Sequence, residues 1–332
     1  MSDPVAPTFP PDVRRHVVRL AGDFFLNGAE AITKAIDTDL VTGMIFLAIV
    51  RANVRHLLEE PGLALGYFEP GDMPSEAFRR PVSVYAIARE LRLPYETARR
   101  HVRKLLAKGL CERGGDGGVV FPPEVNDRPE VRQAVATNFH ATVRYVQALA
   151  DAGLVATCGP ATDATVRDVY MPREVARLTS DYFLSTVELL TTNLNLELVE
   201  GLMFLAITRA NTLHVTLDPA LAATYSGVDE IPPDALRRSI SVYALARDLR
   251  LPYETARRHG GKLLDMGFCE RASDRGLVVP AHVHAREDFK AGVETYGRIT
   301  QAFVNALASA GLAPSQAGGA RSVATPTMAR AR

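Results

Sequence analysis

The chain has 332 residues, 47% hydrophobic and 23% charged, with 38 basic and 38 acidic side chains. This is the composition of a soluble globular protein long enough for two domains of ordinary size. The charge balance excludes a global basic field, so an anionic partner has to be met by a local patch. Three cysteines, Cys111, Cys158 and Cys269, make no disulfide framework and point to a reducing compartment. The opening "MSDPVAPTFPPDV" lacks a charged-then-apolar signal pattern, and the longest apolar run, "GMIFLAIV", stops at Arg51, too short for a bilayer. The expected location is the cytoplasm, with no membrane partner.

In chain order, residues 12–35 and 40–58 alternate apolar and polar positions at helical spacing. Ile45, Leu47, Ala48, Ile49 and Ala52 give the second helix a wide apolar face. Gly62 to Gly71 reads as a loop. "RRPVS" reads as a short extended piece, because Pro81 disfavours helix in the residue before it. Ser83 suits the N-cap of the short helix "VYAIAREL". After the tight link "RL", Pro94 suits the first position of a helix running from about Tyr95 to Ala107, with Gly109 as its C-cap. "LCER" and "VVFP" flank "GGDGG", the pattern of a hairpin. Residues 129–152 form another long helix.

This order then recurs. "LRLPYETARRH" begins at Leu91 and again at Leu249, 158 positions on, and the same offset relates "GMIFLAIVRAN" from Gly43 to "GLMFLAITRAN" from Gly201. No insertion interrupts it between about residue 16 and residue 154. The period far exceeds that of stacked short repeats, so it marks a duplicated domain. The expected division is a first repeat over 12–154, a linker over 155–168 containing "ATCGPATDATV", a second repeat over 169–312, and a small, polar, basic tail over 313–332 that is expected to be disordered. A duplicated domain of this kind imitates a homodimer in one chain.

"SVYAIARELRLPYETARRHVRKLLAKGLCER" resembles the winged helix-turn-helix of bacterial transcription regulators, broadly of the MarR, GntR and IclR kind. The resemblance spans Arg80–Pro122 and Arg238–Pro280; the flanking helices carry none. It implies a mainly α fold with small β-hairpin wings: two repeated winged helix-turn-helix domains with extra flanking helices, arranged as a pseudo-dimer. In such a unit the "ARELRL" helix supports the next one, which enters the major groove of double-stranded DNA, and the hairpin is the wing.

The residues themselves fit that chemistry. On a 3.6-residue period Ala98, Val102 and Leu105 share one side of the helix, while Glu96, Arg99, Arg100 and Arg103 share another. Arginine makes bidentate contacts to guanine edges and phosphates. Tyr95 and Thr97 sit at the helix start, where such helices approach DNA. The second copy keeps Tyr253, Thr255, Arg257 and Arg258 but has Gly260 and Gly261 in place of Val102 and Arg103. Two interior glycines cost roughly 2 kcal/mol of helix propensity relative to alanine. The first wing carries Arg113 and a tip of glycines around Asp116; the second carries Arg271 and Arg275, a charged tip able to reach a phosphate or a minor groove. The plain alternative is a solvated face with a Glu96–Arg100 pair at i, i+4, and an ordinary exposed hairpin at Asp116.

Other conspicuous residues read as structural. His101 and His259 lie beside the core side of their helices, and Cys111 and Cys269 act as small apolar fillers. No cysteine–histidine cluster has zinc spacing, so neither a metal nor a cofactor is expected. Arg51, Asn53 and Asp23 recur as Arg209, Asn211 and Asp181, as a polar network between the first two helices or the lining of an effector cavity; structural pairing is the expectation. With no glycine-rich phosphate loop and no nucleophile elbow, nothing supports an enzyme. The leading expectation is a sequence-specific DNA-binding regulator engaging two half-sites. The alternatives are a winged-helix scaffolding module and an effector-sensing regulator with a pocket between flanking helices. A homo-oligomer or protein partner fits any of the three, and no small-molecule effector is identified.

Overall fold

Val17, Ala21, Phe24 and Phe25 recur at helical steps and are all buried, and the chain coils there into α1 (Arg14–Ala35). The computed structural model describes residues 13–58, 79–154 and 167–312. The expected loop over 62–71, nearly all of the linker and the 313–332 tail lie outside the described residues. Helix α2 (Leu40–Leu58) follows, then α3 (Val84–Glu90), which begins where the Ser83 hydroxyl accepts the Ala86 N–H at 3.1 Å. Helix α4 (Tyr95–Ala107) has Pro94 at the N-cap, one position earlier than the sequence suggested, because Pro94 keeps an extended ψ of 137°. It ends where Gly109 takes a φ of 60°, a left-handed turn that glycine adopts without steric cost. Strands β1 (Glu112–Arg113) and β2 (Val119–Val120) pair antiparallel, and Val82 adds a bridge to Val119. Helix α5 (Pro129–Asp151) closes the first set.

The second set runs α6 (Arg167–Asn193), α7 (Leu198–Leu217), the short α8 (Pro219–Thr224), α9 (Val242–Asp248), α10 (Tyr253–Asp265), the pair β3 (Glu270–Arg271) and β4 (Leu277–Val278), the short α11 (Ala281–His284) and α12 (Glu287–Ser309). The described residues are thus mainly helical with small antiparallel strand pairs. No single helix among them is both long and apolar enough to cross a membrane; Pro172–Asn193 of α6 and Leu198–Leu217 of α7 meet both conditions only as a pair, bent by 101° at their junction.

The two sets share one core. Helix α1 packs against α2 and α5 of its own set and against α7 and α12 of the other, and α6 packs against α7, α12, α2 and α5. At the centre Phe24 stacks on Tyr145 with ring centroids 4.5 Å apart, and the equivalent pair Tyr182–Phe303 also stacks at 4.5 Å. Phe183 of α6 meets Phe24 and Phe25 of α1 edge-on at 5.4 and 4.9 Å. The tyrosine hydroxyls at this centre are satisfied: those of Tyr145 and Tyr182 lie 3.3 Å apart, and that of Tyr182 lies 2.9 Å from the Thr300 hydroxyl.

Gly28 makes this crossing possible. A Cβ there would lie 2.4 Å from the Phe183 ring. Helix propensity favours alanine over glycine by about 1 kcal/mol, but overpacking a closed core costs about 1–3 kcal/mol or more. The Phe183 ring is held between Phe24 and Phe25, so the clash wins. Gly28→Ala is therefore expected to destabilise the chain by about 2 kcal/mol, seen as a lower urea midpoint with an unchanged slope. A midpoint equal to or above that of the wild type contradicts this packing.

Candidate nucleic-acid interface

The helix pair α3–α4 is held from below by apolar contacts. Ile87, Leu91, Ala98, Val102 and Leu105 are all buried. The turn between the helices requires a left-handed residue, and Arg92 supplies it with φ 51°, as Arg250 does with φ 50° in the second set. That conformation costs an L-residue roughly 1–2 kcal/mol. Hydrogen bonds across the two sets offset it: the Arg92 guanidinium donates to the Thr191 carbonyl near the end of α6, and Arg250 donates to the Thr33 carbonyl near the end of α1 at 3.0 Å. A cation at a helix C-terminus is also favoured by the helix dipole.

A second tie joins the start of α2 to the middle of α4. Asp39 accepts from the Thr42 N–H at 2.9 Å and from Lys104 at 2.8 Å, and the Thr42 hydroxyl lies 2.7 Å from His101 Nδ1. Burial lowers the His101 pKa to about 4, against the pull of Asp39, so the ring is neutral at pH 7. At the equivalent place Glu197, Glu200 and His259 come together within 4.8 Å. Lys262 bonds Glu197 at 3.1 Å and Glu200 at 2.9 Å, so an ammonium stands among these groups where a metal would. Burial opposes the charge on Glu200, but Lys262, the Glu197 N–H and His259 outweigh it and hold its pKa below the usual range. His101 and His259 are buried, as are Cys111 and Cys269, as the sequence suggested.

The outward face of α4 carries the expected residues. Tyr95, Glu96, Arg100 and Arg103 are exposed, while Thr97 and Arg99 are half-buried. Arg99 bonds Glu96 at 3.0 Å. The i, i+4 Glu96–Arg100 pair of the plain alternative is not formed; Glu96 pairs at i, i+3 instead, and Arg100 and Arg103 have no acidic partner among the described residues. On α10, Tyr253, Arg257 and Arg258 are exposed and Thr255 half-buried; Arg257 bonds Glu254 at 2.8 Å, and Arg258 lies 3.3 Å from His259 Nε2. Sequence reasoning passed over Tyr85 and Tyr243, which are 67% and 70% exposed at the start of α3 and α9. Their position one residue into a helix capped by serine was the available signal.

The hairpins are oriented by asparagine. Asn53 of α2 donates to the Arg80 carbonyl at 2.9 Å and the Val119 carbonyl at 3.1 Å and accepts the Phe121 N–H at 2.8 Å. Asn211 repeats this with Arg238, Leu277 and Val279. These asparagines link α2 and α7 to the hairpins, and so do not pair the first two helices of each set. The arginines diverge: Arg51 bonds Glu90, whereas Arg209 bonds Asp23 of the other set at 2.5 Å and borders a cavity of about 260 Å³. At the tips, exposed Arg113 donates to the Gly117 carbonyl at 3.0 Å and Arg271 to the Arg275 carbonyl at 3.3 Å. Arg275 is exposed with φ 65°, where the first hairpin has Gly117. Asp116 accepts the Gly118 N–H, an ordinary turn role.

No family model, curated protein or solved structure matches the chain at a significant level.

The two glycines of α10 do not break it; the helix is 13 residues long, as α4 is. A Cβ at Gly260 would lie 3.6 Å from the Met203 methyl, and one at Gly261 would meet nothing within 4 Å. Met203 occupies the position of Ile45, so the longer side chain reaches into the space left by the missing valine. Gly261→Ala is expected to stabilise the protein by about 1 kcal/mol. Gly260→Val is expected to be tolerated better with Met203→Ile than alone, a favourable coupling of at least about 0.5 kcal/mol in a double-mutant cycle of urea midpoints. Strict additivity would contradict the exchange.

Proposed function

We propose that the chain is a sequence-specific DNA-binding transcription regulator built from two covalently fused winged helix-turn-helix units. The observation that carries this reading is the outward face of α4, where Arg100 and Arg103 stand exposed near Tyr95 and, among the described residues, have no acidic partner. A cationic stripe on a helix backed by a rigid apolar face is what major-groove reading requires. In this reading α3 supports α4, and Asn53 sets the wing beside it. Glu96 holds Arg99 in a fixed direction, while Arg100 and Arg103 remain available to guanine edges or phosphates. Tyr85 and Tyr95 offer hydroxyls to the DNA backbone at the two helix starts.

The second unit meets a second half-site with one helix cation fewer. Its charged wing tip at Arg275 takes over part of the contact. The helices α1, α5, α6 and α12 then serve as a dimer-like platform that fixes the separation of the two reading heads, so that oligomerisation is not needed for two-site binding.

The test starts from a duplex selected out of random sequence, titrated at several salt concentrations. Replacing Arg100 or Arg103 by Ala is expected to cost roughly 1–3 kcal/mol where the arginine reads a base. It should flatten the salt dependence by about one ion where the arginine meets a phosphate. Arg258→Ala is expected to cost less than Arg100→Ala. A folded Arg100→Ala/Arg103→Ala protein that binds as tightly as the wild type would sink the reading.

A further inference from the structure

The two sets pair their recurring arginines differently. In the first set Arg177 bonds Asp181 at 2.9 Å, and Arg51 bonds Glu90, the acid that ends α3. In the second set the partners are exchanged. Arg19, at the position of Arg177, donates to the Tyr225 carbonyl at 2.6 Å. Asp23 then takes Arg209 at 2.5 Å, and Asn27 accepts from the same guanidinium at 3.2 Å. Arg209 is thus committed to α1. Asp248 stands at the position of Glu90, with a side chain one methylene shorter, and bonds its sequence neighbour Arg247 at 2.8 Å.

Both Arg209 and Asp248 border the cavity of about 260 Å³ between α1, α7 and α9. Leu26 and Ala29 of α1 form part of its apolar wall, facing Leu245 and Leu249 of the second set, and Glu30 is its other acid. Ala29 stands where the first set has Val187, so two methyl groups are missing there as well. The volume exceeds the roughly 150 Å³ that admits a benzene ring, so a ring or a short chain with a polar end fits. The Glu30 and Asp248 side chains are 44% and 46% exposed, and their partners Lys34 and Arg247 66% and 69%. Such solvated pairs contribute little and yield to a competing cation. The guanidinium on the wall is neutralised by Asp23, so the wall is left acidic in balance.

We propose that this cavity binds a small organic cation, an amine or guanidine on an apolar body, its nitrogen donating to Asp248 and Glu30 and its body lying against Leu26, Leu245 and Leu249. The ligand takes the place that the Arg51 guanidinium fills beside Glu90 in the first set. Asp248 ends α9 just before the turn at Arg250, and Thr33, whose carbonyl accepts from Arg250, also lines the cavity. An occupant therefore sits beside the tie that positions α10. This site goes beyond the DNA-binding reading and is tested without DNA.

The experiment uses the full chain and two readouts, isothermal titration calorimetry and thermal unfolding. The probes are benzylamine and butylguanidine, with benzyl alcohol as the uncharged counterpart, benzoate as the anionic one and ammonium chloride as the bare cation. The expected result is one-to-one binding of at least one of the two organic cations, with a Tm that rises with its concentration, and no comparable effect of the alcohol, benzoate or ammonium. Asp248→Asn and Glu30→Gln change exposed acids and disturb no core. Each is expected to leave the unliganded Tm close to that of the wild type and to weaken the cation about tenfold or more. Ala29→Val, which restores the methyls of Val187 and narrows the cavity, should weaken it as well, an effect that attraction to surface charge alone would not give; the two acid variants serve if Ala29→Val does not fold. The proposal is overturned if neither cation binds, if the alcohol or benzoate binds equally, if ammonium matches the organic cation, or if the folded variants bind it as the wild type does.

Discussion

Everything in this molecule hangs on the crossing of α1 and α6, where Phe183 lies over Gly28 and the stacks Phe24–Tyr145 and Tyr182–Phe303 bury the same face from both sides. Aromatic burial of this extent dominates the energetics of a core, and stacked or edge-on rings add directionality. Because α1 contacts α7 and α12 as well as its own set, neither set has a complete core without the other. The crossing also positions the outer helices. Arg92 reaches the end of α6 and Arg250 the end of α1, so the turn before each cationic helix is tied to the platform of the opposite set. A rigid platform with two outward helices is the physical basis of the proposed two-site binding.

Covalent fusion frees the two sets to diverge, in core positions as well as in charge. Met203 reaches toward Gly260 and keeps the core of the second set filled while Gly261 removes a cation from its surface. Arg275 accepts a left-handed backbone that Gly117 takes without strain, at a cost of roughly 1 kcal/mol, and places a charge on the hairpin tip. Asp248 stands where Glu90 holds Arg51, and Arg209 turns to Asp23 instead. A homodimer has identical copies and cannot separate these roles.

Local chemistry made much of the fold legible. Ser83, Gly109, the glycine-rich hairpin and the apolar stripe Ala98–Val102–Leu105 each act within a few residues, so the sequence pattern and the observed geometry coincide. Pro94 stands one position before the helix because proline fixes φ but leaves ψ to its surroundings. Glu96 chose Arg99 over Arg100, since both spacings lie on one helix face and periodicity does not separate them. The recurring arginine and asparagine of "RAN" could be found by repetition alone, but not their partners: Asn53 bonds a hairpin 66 positions away, and Arg209 an acid 186 positions away. The cavity at Asp248 was invisible for the same reason, because its walls come from α1, α7 and α9.

The central claim is that one chain presents two reading heads from a single platform. Hydroxyl-radical footprinting of the intact protein on its best selected duplex addresses it directly. The account predicts two protected patches about one helical turn, roughly 34 Å, apart on one face of the duplex, with the stronger protection on the patch that fades when Arg103 is replaced by alanine. A single unsplit patch, or protection that is indifferent to sequence and to Arg103, would contradict it.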